Sequence, residues 1–125
     1  MIHLDTHVIV WLYYGEVKLL SEKAKALLED NELVISPIVM LELQYLQEVQ
    51  KITDKSLKII NVLKETVGLK IDEAGFNEII LEGLPHFWTR DPFDRIIVAQ
   101  AAINRHKLLT KDERIHKYYK QAVWE

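Results

Sequence analysis

The chain has 125 residues, 49% hydrophobic and 28% charged, with 16 Lys or Arg against 19 Asp or Glu for a formal net charge of −3. That is the size and balance of a single domain spanning residues 1–125, with apolar material for one core. There is no cysteine, which excludes disulfides, thiolate metal sites and cysteine nucleophiles, and makes a reducing, cytoplasmic setting the expectation.

The opening "MIHLDTHVIVWLYYGE" is interrupted by Asp5 and His7. It is too short and too polar to span a bilayer, so neither a membrane anchor nor a cleaved signal is expected. "MIHLD" alternates and is rich in strand formers, which predicts a strand ending at Asp5 and then a helix. After Ser21, a plausible cap, "EKAKALLEDN" is made of strong helix formers. "ELVIS" reads as a short buried strand, and "SPIVMLELQYLQEVQ" as a helix with Ser36 at its cap and Pro37 at its first position. A helix around "SLKIINVLKETV", the strand "GLKID", a short helix over residues 74–82, a helix beginning at Pro92 and the strand "KLLT" follow. "QAVW" makes a last short strand. Strands alternating with helices imply a three-layer α/β/α arrangement around a mainly parallel sheet of four or five short strands, because parallel strands need crossover connections.

Charge is segregated along the chain. Residues 90–120 carry eight Lys or Arg against four Asp or Glu, which leaves eight basic and fifteen acidic residues elsewhere. A solvated tail explains that bias most simply; a surface that meets phosphates is the functional alternative.

The carboxylates are harder to explain. In "RDPFDRIIVAQA", Asp91 before Pro92 fits a helix cap, and Asp94 falls at the third helical position, near the positive end of the dipole. The helix after Asp94 is apolar nearly all round, which points to burial between layers. Burying an ionised carboxylate is unfavourable unless a cation, donor or metal compensates it. Glu42 makes the same point among Ile38, Val39, Tyr45 and Leu46, with no basic residue between Lys25 and Lys51. A distant partner such as Arg95 is the structural alternative. Asp5 ends the first predicted strand and Asp112 lies two residues beyond "KLLT", so both emerge at strand C-terminal ends, the ligand-binding edge of an open parallel sheet. Singly, Asp5 is as well explained by a cap and Asp112 by a turn. If all four converge they repel one another unless a divalent cation sits among them. Hard oxygen ligands without cysteine or a His-x-x-x-His helix favour Mg²⁺, or Mn²⁺, over zinc. Such ions serve phosphodiester hydrolysis by activating water and neutralising charge on the phosphate. Arg90, Arg95, Lys111 and Arg114 flank the later acids and are candidates for contacting RNA phosphates; each alone is equally a surface charge.

Together "LDTHVIVWL", "SPIVMLELQYL", "WTRDPFDRIIVAQA" and "LLTKDERI" resemble the PIN-domain ribonucleases, in particular the VapC-type toxins of toxin-antitoxin pairs. The resemblance runs from Ile2 to Trp124 and implies a PIN-like fold. It carries the family's acidic metal ligands onto Asp5, Glu42, Asp94 and Asp112, leaving Asp91 as a cap or supporting acid. Thr6 and Thr110 match small hydroxyl residues that orient ligands or water. Arg114 stands where some members have a further Asp, which weighs against a complete second metal site. The resemblance also implies Mg²⁺- or Mn²⁺-dependent RNA cleavage, a homodimer, and inhibition by a cognate VapB-type antitoxin. Trp11, Tyr13, Tyr14, Tyr45, Phe87 and Trp88 are expected mostly in the core, with a groove or dimer face as their other use.

Rival folds lack their own marks. A haloacid dehalogenase-type phosphatase needs a second Asp two residues after the first, where His7 stands, and a receiver domain's set of paired acids and later Lys is missing. A non-catalytic PIN-like module that binds RNA or protein is the alternative from another class; retention of four mutually repelling acids argues against it. His3 and His7 straddle a strand-helix boundary, and His86, His106 and His116 read as surface or loop residues. A histidine base is therefore not expected, and the nucleophile is water activated by metal.

Overall fold

A computed structural model of the chain describes residues Met1–Glu125. Strand β1 (Ile2–Leu4) leads into α1 (Thr6–Tyr13), a short 3-10 turn over Val17–Leu19 and α2 (Glu22–Asp30), and β2 (Leu33–Ile35) leads into α3 (Pro37–Glu48) and α4 (Ser56–Val67). Strand β3 (Lys70–Ile71) is followed by α5 (Phe76–Gly83) and α6 (Pro92–Ile103), and β4 (Lys107–Leu109) by α7 (Glu113–Tyr118) and β5 (Ala122–Val123).

Local chemistry sets most boundaries. Ser21 accepts from the Ala24 N–H at 3.0 Å to start α2, and Ser36 accepts from Ile38 N–H ahead of Pro37 to start α3. Helix α4 ends at Gly68, whose φ of 67° is the left-handed conformation that closes a helix and favours glycine. The strand expected over "GLKID" pairs only at Lys70 and Ile71, because its neighbour β2 is itself three residues long. Helix α7 is a departure from the sequence reading, which expected no helix after "KLLT" and gave Asp112 a turn as its structural alternative. The Asp112 carboxylate accepts from the N–H groups of Arg114 and Ile115, at 2.8 and 3.1 Å, and so caps a six-residue helix.

The sheet has five strands in the order β3-β2-β1-β4-β5, every adjacent pair parallel, in a PIN-like α/β/α fold. Every residue of β1 and β2 is buried, as expected of central strands covered on both faces. A contiguous cluster of 21 buried apolar residues draws on the chain from Ile2 to Trp124, so both ends of the sequence feed one core. No helix is long and apolar enough to cross a membrane.

Topology decides where a ligand can sit. From β1 the chain moves outward to β2 and β3, then returns to the other side of β1 for β4 and β5. Crossovers on the two sides of the β1–β4 boundary therefore diverge and open a crevice at the C-terminal ends of those strands. Leu4 pairs with Leu109, and the Asp5 N–H donates to the Leu109 carbonyl at 3.1 Å, so Asp5 and Thr110 leave the sheet side by side in that crevice.

A candidate active site at the switch point of the sheet

Asp5 caps α1. Its Oδ1 accepts from the Thr6 N–H at 2.8 Å, and its Oδ2 accepts from the Thr110 hydroxyl at 2.6 Å. The same Thr110 oxygen accepts from the Asp112 N–H at 3.0 Å, so one buried hydroxyl ties the end of β1 to the start of α7. Glu42, half-buried near the middle of α3, accepts from the Thr6 hydroxyl. Asp91 caps α6, accepting from Phe93 N–H at 2.8 Å and Asp94 N–H at 3.4 Å, as its place before Pro92 leads one to expect. Asp94 itself stands half-buried in the first turn of α6.

These elements meet at a cleft of about 500 Å³ lined by Asp5, Glu42, Asp91, Asp94 and Asp112, together with His7, Trp11, Lys111 and Glu113. Six carboxylates therefore face one lysine, and none of the six takes part in an ion pair. A larger cavity of about 730 Å³ lies against Lys64, Lys70 and Glu73 beside the edge strand β3. Size alone would favour it, but the three carboxylates whose ionisation burial displaces upward, Asp5, Glu42 and Asp94, all line the smaller cleft, which is the better candidate.

The electrostatics follow from burial and crowding. Asp94 is pushed up to about 7, first by burial and then by the charges of Asp5, Asp91, Asp112 and Glu42. Burial raises Glu42, with Asp5 and Asp91 adding to it and the Thr6 hydroxyl opposing. Burial also raises Asp5, against the stabilising donors Thr110 and Thr6. The pattern is that of carboxylates competing for too little positive charge.

The donor set is carboxylate and hydroxyl oxygen with a single imidazole, His7, in the lining, which suits a hard divalent cation such as Mg²⁺ or Mn²⁺ better than zinc. No three of the side chains are already drawn into a group that could hold an ion. Like charges tied to separate threonine and backbone donors have no reason to close up without a cation. The residues thus fit a divalent ion in chemistry and in charge, with the last closure left to the ion.

The structure brings Asp5, Glu42, Asp91, Asp94, Asp112 and Lys111 to one cleft, flanked by Thr6 and Thr110. It does not bring the arginines. Arg90 and Arg114 are exposed outside the lining. Arg95 is neither the ion-pair partner of Glu42 nor turned to the cleft: its guanidinium donates to the carbonyls of Gly83 and Leu84 at 2.9 and 3.0 Å, closing the C-terminal end of α5. Glu113 joins the lining without having been singled out, although its place next to Asp112 was available as a signal; Trp11 takes the groove use rather than a core place, and His7, weighed only with His3, lines the cleft alone. Of the aromatic residues expected mostly in the core, Trp11, Tyr13 and Trp88 pack against it from its margin, and the others depart from it. Tyr45 and Phe87 are 50% and 79% exposed, and Trp11, Tyr13, Tyr14 and Trp88 are half-buried. His106 lies in a loop but turns inward against His3, with ring centroids 5.2 Å apart.

The chain belongs to the PIN-domain family, whose match covers residues 2–121. It is similar to Ribonuclease VapC22 of Mycobacterium tuberculosis, 28% identical over 121 residues that cover 92% of this chain and 89% of that protein. Among solved structures, a toxin-antitoxin complex from Klebsiella pneumoniae superposes with a TM-score of 0.69 at 20% identity, covering 98% of this chain and 96% of that one. VapBC-1 from nontypeable Haemophilus influenzae gives 0.67 at 22% identity, covering 100% and 97%. At such identities the solved structures speak for the fold.

Proposed function

We propose that residues 1–125 act as a single PIN unit, a divalent-metal-dependent endoribonuclease that serves as the toxin of a cytoplasmic toxin-antitoxin pair. Similarity to a protein named Ribonuclease VapC22 and to structures titled as toxin-antitoxin complexes supports the class. The observation that carries the chemistry is the cleft itself, where Asp5, Glu42, Asp91, Asp94, Asp112 and Glu113 face a single lysine and none of them takes part in an ion pair.

On this reading Asp5, Glu42, Asp94 and Asp112 hold Mg²⁺, or Mn²⁺ in its place. When bound, the ion supplies a Lewis acid that activates water and neutralises charge developing on the scissile phosphate. The chain's own groups do the rest. Thr110 and the Thr6 N–H fix both oxygens of Asp5, and the Thr6 hydroxyl fixes Glu42. Lys111, the lone lysine in the lining, meets a substrate phosphate. Asp91 acts on the site through the first turn of α6, which it caps.

A cognate VapB-type antitoxin and a second copy of the chain complete the proposed assembly. Exposed Leu41 and Phe76 flank an apolar groove of about 210 Å³ between α3, α5 and α6, which supports a dimer contact there.

Cleavage of a mixed structured-RNA pool by purified protein, freed of any partner, in Mg²⁺, Mn²⁺ or EDTA tests the reading. Cutting that needs the ion is the expected result. Cutting that survives EDTA would sink the metal chemistry. No cutting by folded, metal-loaded protein would favour a non-catalytic module that binds RNA or protein.

A further inference from the structure

Two segments run outward from the carboxylate cleft. Asp91 lines it, and three residues back along the chain stands Trp88; Asp112 lines it, and at the far end of α7 stands Tyr118. The two rings stack, with centroids 5.1 Å apart and planes 10° from parallel. Three residues of chain, or the six of α7, span at most about 10 Å, so the stack is a near neighbour of the acids.

The members of the pair are not equivalent. Trp88 is anchored: it packs half-buried against the core, and its indole N–H donates to His86 Nδ1 at 3.1 Å. Tyr118 is 49% exposed. Helix α7 buries only Ile115, so it does not need this tyrosine for its own packing. An exposed ring held flat by a fixed one has little structural purpose, because stacking in the core would bury more area. Its surroundings are basic. Arg114 is four residues earlier on the same face of α7, Arg90 is exposed beside Trp88, and Lys117 Nζ lies 5.5 Å from the Tyr118 centroid. Acids in the cleft, then arginines, then an aromatic stack with a lysine is the order that a sugar-phosphate strand with one splayed base would meet.

We propose that the Trp88–Tyr118 stack is a base platform, on which a nucleobase of single-stranded RNA beside the scissile phosphate stacks against Tyr118. The assignment rests on the ribonuclease reading and adds to it a subsite and a substrate form. Arg114 and Lys117 hold the phosphates on either side of the stacked base; the exposed lysine side chain is long enough to turn from the ring to a phosphate. Preference for an unpaired base follows, since a base inside a duplex has no free face to offer. An acidic peptide would satisfy the arginines but has no use for two parallel rings.

The test measures binding without cutting, in an Asp94→Asn background with Mn²⁺. The probes are an oligoadenylate of about ten nucleotides and a ribose-phosphate oligomer of the same length that lacks bases. Tyr118→Ala is expected to weaken oligoadenylate binding about tenfold and to leave the baseless oligomer unchanged, while Tyr118→Phe restores the loss. Unchanged melting temperatures check that the exposed position tolerates the change. Equal weakening of both probes would make Tyr118 a structural or electrostatic contributor and overturn the platform, as would no weakening of either. If the wild type in Mn²⁺ neither binds nor cuts oligoadenylate, the ribonuclease reading fails with it. Binding that is retained but indifferent to Tyr118 sinks the platform alone. Loss of a co-purifying protein on Tyr118→Ala, with RNA binding intact, would give the patch to a protein partner instead.

Discussion

Strand β1 and helix α6 bury polar groups at two levels, and the two levels have opposite characters. At the sheet's C-terminal edge stand Asp5 and Asp94. Two residues earlier on β1, and so on the same side of the strand, stands His3, and farther down α6 stands Gln100. His3 is 1% exposed and neither ring nitrogen has a partner; the Nδ1 of His106 beside it and the Oε1 of Gln100 are equally without one. Gln100 keeps one bond, from its amide to Asp72 at 2.7 Å. Burial drives each level towards neutrality, pushing His3 down to about 4 and Asp94 up to about 7. The imidazole reaches that state at neutral pH simply by remaining unprotonated. Among the acids, Asp5 and Glu42 are bonded to donors that oppose that drive by favouring the ionised form. The same burial thus meets a neutral imidazole below and a cluster of carboxylates without a cationic partner above. On the proposed reading, only the upper one takes a cation.

The largest effects should separate the two levels by function. Replacing Asp5, Glu42, Asp94 or Asp112 by Ala should lower RNA cleavage on the order of a hundredfold or more in a folded protein; full activity in any one would remove that residue from the ligand set. Next comes Thr110→Val, which leaves Asp5 one donor short. A loss between about tenfold and a hundredfold is expected, with Thr110→Ser recovering most of it, and steady-state cleavage by the pair decides the matter.

Stability against pH sharpens the comparison in metal-free protein, since the two levels act with opposite sign. His3 has a folded pKa below its unfolded value, so the stability it allows is complete above about 6.5 and is lost as pH falls towards 4. Asp94 has a folded pKa above its unfolded value, so stability is greatest below 3.8 and is lost as pH rises towards 7. Urea unfolding across that range should show Asp94→Asn gaining on the wild type as pH rises and His3→Leu gaining as pH falls. Parallel curves for both variants would contradict these assignments. The smallest effect belongs to Asp91→Ala, which should cost about 1 kcal/mol for the lost cap and leave most of the cleavage; denaturant midpoints and cleavage rates together check it.

What the sequence disclosed follows from how local each cause is. Ser21, Ser36 with Pro37, and Asp91 with Pro92 act within a single turn, so the starts of α2, α3 and α6 were legible. Asp112 with Glu113 carries the same signature, but with only six helical residues behind it the apolar period is too short to recognise. Strand order depends on how crossovers pack over the sheet and has no local mark. The four acids were legible as charges on apolar faces or at strand ends. Their common cleft depends on the pairing of Leu4 with Leu109 and on Thr110 bonding Asp5 across 105 residues of chain. Arg95, an alternative partner for Glu42 and a candidate phosphate contact in the sequence, serves neither because the carbonyls that hold it come from α5, which runs back against α6. His3 follows the alternation of its strand, but nothing around it in the sequence reveals that α6 and the loop before β4 close over it.

The most direct test of the upper level as a cation site is thermal unfolding of metal-free wild type and Asp94→Asn at neutral pH, with and without Mn²⁺. Without the ion the Asn variant should melt higher, because a repelling charge has been removed. With Mn²⁺ the wild type should gain stability in proportion to the logarithm of ion concentration, and the variant far less. Equal response of the two proteins to Mn²⁺, or a metal-free variant that melts below the wild type, would contradict a charge cluster held in wait for a divalent ion.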